Sequence, residues 1–117
     1  MSELNEMIQA SKESYINYAA KLPAGCQQIA NHLREDSVLK AIDMIRQFSE
    51  GVAWLNEMNT ILQKNNAIIP LEVSKIFEYL EEVNDGLSIQ DYVIVADMFE
   101  YELQPFFEEH LSAISVA

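Results

Sequence analysis

Residues 38–62 read VLKAIDMIRQFSEGVAWLNEMNTIL. Val38, Ala41, Ile45, Phe48, Val52, Leu55, Asn59 and Leu62 recur at alternating steps of three and four, the seam of an amphipathic α-helix. Met44, Gly51, Trp54, Met58 and Ile61 add a second stripe beside it. At 100° per residue the two stripes span an arc of roughly 200°, which needs neighbours on more than one side. This stretch therefore predicts a long central helix over about 37–64. Gly51 within it costs about 1 kcal/mol of helix propensity relative to Ala, so its position predicts a close helix–helix approach.

Working outward, Leu4, Ile8, Ser11, Tyr15, Tyr18 and Leu22 form the stripe of a first helix, interrupted by Pro23 and Gly25. Proline suits the first turn of a new helix, where its missing N–H has no partner to lose. A short second helix follows through Cys26, Ile29 and Leu33, either separate or a kinked continuation of the first. Asp36 or Ser37 can cap the long helix, with Asp36 and Lys40 spaced as an ion pair. The stretch from Asn65 to Pro70 ends the long helix and starts another, with Val73, Ile76, Phe77, Leu80 and Val83 facing inward. Asp85-Gly86 reads as its stop, glycine serving as the left-handed cap. Ser88 and Asp91 resemble a capping box for a last helix over about 88–112, with Leu87 stapled on Tyr92. That helix turns Tyr92, Ala96, Phe99, Leu103 and Phe106 to the core, and Pro105 kinks it. Ala67–Ile69 is too short to count as a strand. The expected fold is all-α, one domain spanning 1–117 as a bundle of four or five helices.

Charge divides the chain unevenly. From Leu71 onward there are eleven acidic residues and one base, Lys75, a net of −10 within a total of −12. Residues 1–70 hold eight acids and six bases. Nucleic-acid backbones and anionic membranes are met with clusters of Lys and Arg, and none occurs here. The opening residues lack a basic leader and an apolar core, so they do not read as a signal peptide. No apolar run approaches the ~20 residues of a membrane span. A cytoplasmic protein is the expectation.

Reactive chemistry is sparse. The two histidines, His32 and His110, have no Glu three positions earlier, so a carboxylate-bridged metal bundle is not expected. Each reads more simply as a solvated helix end. Cys26 shares the register of Ile29 and Leu33 and reads as a buried spacer. No phosphate loop, nucleophile elbow or zinc helix motif is present. The expectation is a non-enzyme with no cofactor and no metal.

What remains is a surface. On a helical wheel Met98, Tyr101 and Pro105 fall outside the core stripe of the last helix, surrounded by Asp97, Glu102, Glu108 and Glu109. Exposed apolar groups ringed by charge suit an interface. These seven residues are the candidate binding site for a partner protein bearing a basic or amphipathic helical surface. The same residues also read as a plain solvated face, with Tyr101 at a neighbouring helix edge. A homodimer would be a second way to cover the wide apolar arc. Two other classes stand behind this reading: an acidic mimic of nucleic acid occupying a DNA-binding protein, and an enzyme using Cys26 or a histidine.

FSEGVAWLNE at 48–57 and DYVIVADMFEYELQP at 91–105 resemble a family of small acidic all-helical proteins of unknown function from Gram-positive bacteria. The resemblance spans about residues 38–111 and implies a fold rather than an activity. A looser likeness is to flagellar export chaperones, whose helical surfaces shield an amphipathic helix of a client.

Overall fold

The computed structural model describes residues 2–67 and 71–116. Ile68, Ile69 and Pro70, where the sequence places the junction of two helices, lie outside the described residues, as do Met1 and Ala117. The elements are α1 (Ser2–Ala19), α2 (Leu22–Arg34), α3 (Val38–Lys64), α4 (Val73–Ser88), α5 (Tyr92–Asp97), a π-helical segment (Met98–Leu103) and α6 (Gln104–Val116). The last three follow one another without a break, so the described residues form five helical rods and no strand. The molecule is elongated, 51 × 23 × 21 Å.

The periodic stretch over residues 38–62 forms α3 as expected. Ala41, Ile45, Phe48, Val52, Leu55, Asn59 and Leu62 are all buried, and Met44, Trp54 and Met58 of the second stripe are half-buried. Helix α3 packs on α1 and α2, while α2 also meets α5, the π segment and α6. The short second helix thus joins the two halves of the bundle, together with packing of α1 on α6. Gly51 explains itself: a Cβ there would lie inside the hydroxyl end of Tyr18. Its absence lets Tyr18 cross α3 and meet Trp54 edge-on at 5.6 Å. Asn59, polar within an apolar seam, accepts a hydrogen bond at 3.0 Å from the Leu71 backbone N–H. It thereby fixes the chain entering α4.

Helix ends differ from the sequence expectation in an instructive way. Gly86 is not a stop; it lies inside α4, which runs on to Ser88. A Cβ at Gly86 would come within 2.8 Å of Val95 Cγ2, so this glycine allows α5 to approach α4. Among the described residues the left-handed ones are Asp36, Asn66 and Gln90, with φ of 60°, 53° and 56°. Each precedes a backbone N–H that reaches back five residues: Ser37 to His32, Ala67 to Leu62 and Asp91 to Gly86. This is the Schellman closure, usually built on glycine; the chain builds it three times without one. Ser37 occupies the α3 N-cap but makes no side-chain cap bond, and no Asp36–Lys40 ion pair occurs among the described residues. At the start of α5 the cap is Asp91, whose Oδ1 accepts from the Ile94 N–H at 3.2 Å, rather than Ser88.

Leu4 and Ile61, which the stripes of the first and central helices turn inward, are exposed, and two further core assignments shift. Phe77 is exposed, because α4 packs by one side only, on α5 and the π segment. In the last rod Phe107 is fully buried and Phe106 only partly. The cause is the π segment. Val95, Phe99, Leu103 and Phe107 are all buried at successive steps of four. In an α-helix each such step overshoots a full turn by about 40°; the wider i→i+5 turn absorbs the excess and keeps all four residues on one face. Pro105, two residues past the segment, marks the place where an α-helical N–H is missing. Phe107 then meets Phe48 at 5.9 Å, and Phe48 meets Phe99 at 5.3 Å.

Candidate functional site

A groove of about 340 Å³ runs between α4 and the rod formed by the π segment and α6. Helix α4 and its N-cap contribute Glu72, Lys75 and Tyr79; the rod contributes Tyr101, Glu102, Pro105, Phe106 and Glu109. Tyr101 is 62 % exposed. Tyr79 is half-buried, its ring set edge-on to Phe106 at 6.2 Å. Lys75 places its ammonium over the Tyr79 ring, 5.6 Å from the centroid. Glu72, Glu102 and Glu109 give this groove three carboxylates against one ammonium.

Four of the seven residues singled out from the sequence, Tyr101, Glu102, Pro105 and Glu109, meet in this groove. The other three do not. Met98 is buried, 9 % exposed, and packs with the core. It lies on the inward side because the π turn rotates it there, which an α-helical wheel does not show. Asp97 is engaged by Arg34 at 3.0 Å. Glu108 is exposed outside the groove lining, on a side from which its charge raises the Cys26 thiol. Sequence reasoning missed the α4 wall. Its only trace was Tyr79 one helical turn after Lys75, a spacing that puts both on one face.

Across the rod from the groove, α2 and the π segment are tied together. Arg34 bonds Glu100 at 2.6 Å as well as Asp97, and Gln27 Nε2 donates to the same Glu100 oxygen at 2.9 Å. The Gln27 bond, with those from Tyr101 and Arg34, holds the Glu100 carboxyl down at about 2. The guanidinium also lies 6.0 Å from the Tyr101 ring centroid. The π segment thus has one acid committed to α2 while the adjacent Tyr101 and Glu102 stay available to solvent.

The residues weighed for catalysis are placed as follows. Cys26 is fully buried, and burial pushes its thiol up to about 12. His110 is 9 % exposed rather than solvated, and its Nε2 pairs with the Tyr15 hydroxyl at 3.1 Å. Burial lowers the basicity of the ring. His32 is half-buried in the last turn of α2, with Nδ1 enclosed and without a protein hydrogen-bond partner. Among the described residues no three His, Cys, Asp or Glu side chains converge as a metal site. No helix among them is long and apolar enough to cross a membrane. A larger cleft of about 630 Å³ lies at the end of the bundle, where Leu33 and Asp36 face Ile89 and Val93.

A family model described as a domain of unknown function, DUF8042, matches residues 10–112. The chain belongs to that family. The DUF8042 match runs from within α1 to within α6, so the groove and both of its walls are parts of the family domain. No curated protein and no solved structure matches the DUF8042 chain.

Proposed function

We propose that this domain is a non-enzymatic protein-binding module whose groove between α4 and the last rod receives a basic, amphipathic helix of a partner. One observation carries the reading: Tyr101, 62 % exposed, stands beside exposed Pro105 with Glu72, Glu102 and Glu109 around them. An amphipathic helix laid in a groove offers apolar side chains to such aromatic groups and cations to such a rim. The net charge of −10 over residues 71–117 adds a long-range attraction for a basic partner. The role is that of an adaptor, chaperone or regulator in the cytoplasm of a Gram-positive bacterium. The likeness to flagellar export chaperones supports the client-shielding form of it.

A photo-crosslinking amino acid placed at Tyr101 in the native cell tests this. The expected result is a discrete adduct that is lost when Glu102 and Glu109 are reversed to Lys and kept when Glu108, off the groove, is reversed. No adduct, or one indifferent to Glu102 and Glu109, would overturn the reading.

A further inference from the structure

We infer that Lys75 is the groove's own occupant: its ammonium holds the position that an arginine or lysine of the docking helix takes over, so that binding exchanges one cation for another. This deepens the function proposed above and rests on it. Lys75 is the one base among the acidic residues from Leu71 onward, and it lies in the groove. Its ammonium sits over Tyr79. Glu72, Glu102 and Glu109 line the same groove, yet among the described residues no carboxylate lies within 4 Å of Lys75. The ammonium is therefore held by a ring face and a diffuse negative field, not by a directed ion pair.

A solvent-exposed cation over an aromatic ring is bound weakly, and a lysine stem swings into water at little cost. The ring itself is well placed to receive a replacement, since Phe106 backs Tyr79 edge-on. Arginine is the better claimant, because its planar guanidinium stacks on an aromatic face while its N–H fork reaches carboxylates. Until it arrives, Lys75 lowers the groove's charge and covers the ring. It therefore weakens capture of cations in general and leaves the groove to ligands that supply apolar contacts to Tyr101 and Pro105 as well.

The test uses the full chain and a synthetic amphipathic Leu/Arg helix, with its citrulline counterpart as the uncharged probe, titrated by calorimetry at low salt. Lys75→Met should tighten binding of the arginine peptide about two- to five-fold, the range of an exposed cation–π contact. Lys40→Met removes the same charge from α3 outside the groove and should change binding far less. The citrulline peptide should bind more weakly and show no gain from Lys75→Met. If the arginine peptide binds but Lys75→Met gains no more than Lys40→Met, the exchange is wrong and the groove reading stands. If the peptide binds neither the wild type nor Lys75→Met, the groove reading falls, and the exchange with it.

Discussion

His110 is a base kept neutral by where it sits. Burial beside Tyr15 makes its protonated form costly, so its folded pKa lies below the ordinary 6.5. Below that pH the unfolded chain takes up a proton that the folded chain refuses. The contribution is therefore complete above about 6.5 and is lost as the pH falls from there through the folded value. Urea unfolding at about pH 7.5 and about pH 5.5 should show the wild type weakening across this window. His110→Gln, which keeps a polar partner for Tyr15 but cannot titrate, should weaken less. Equal slopes for the two proteins would show that His110 charges freely in the fold. Glu100 does not confuse the comparison, because its carboxyl titrates near 2 and is ionised throughout. From the sequence His110 looked like a solvated end, since Glu108 and Glu109 precede it and both are exposed. Cys26 was legible because its register with Ile29 and Leu33 is purely α-helical. His110 lies beyond the π turn, where α-helical phase no longer tells which way a side chain faces.

The π segment is the element that separates what could be read from what could not. Helices α1 to α4 follow a 3.6-residue rhythm that gives their order, while the break between α1 and α2 is left open by it. Phe99 and Leu103 were placed correctly, but continuing the α rhythm selected Phe106, and Met98 was turned outward. Four-residue steps from Val95 to Phe107 were present in the sequence as a faint signal of a widened turn. The helix stops were hidden for a different reason. Where a helix ends on a left-handed residue, glycine usually supplies it, whereas here Asp36, Asn66 and Gln90 take that conformation. Gly86 was freed for close packing against Val95. The π register has an energetic consequence. Phe107→Ala removes a fully buried ring from contact with Phe48 and Phe106, and should cost about 3–5 kcal/mol. Phe106→Ala truncates a half-buried ring and should cost about 1–2 kcal/mol. Denaturant midpoints at constant slope measure both. A larger loss at Phe106 would mean that the last rod keeps α-helical register.

At the scale of the molecule, the fold concentrates negative charge on the half built from α4 and the last rod. Among the described residues only Arg34 relieves it by ion pairing, through Asp97 and Glu100, while Arg46 pairs with Asp43 and Glu50 within α3. Helix α4 carries exposed Glu78, Glu81 and Glu82, and no cation lies within 4 Å of them among the described residues. Glu78 stands one turn from both Glu81 and Glu82, and like charges so spaced oppose the helix by about 0.2–0.5 kcal/mol per pair. The folded state brings these charges closer than the unfolded chain does, so self-repulsion acts against folding. Raising the salt shortens the Debye length from about 30 Å at 0.01 M to about 8 Å at 0.15 M. The thermal midpoint should therefore rise over that interval, although salt weakens the Arg34 and Arg46 pairs. Exchanging Glu78, Glu81 and Glu82 for Gln should raise the low-salt midpoint and shrink the response to salt. None of the three lines the groove, so the same variant should retain the Tyr101 crosslink if charge near the groove governs docking. A midpoint that falls with salt would mean that the ion pairs outweigh the crowding of acids. A variant that lost the crosslink would mean that attraction is read from the whole negative face and not from the groove.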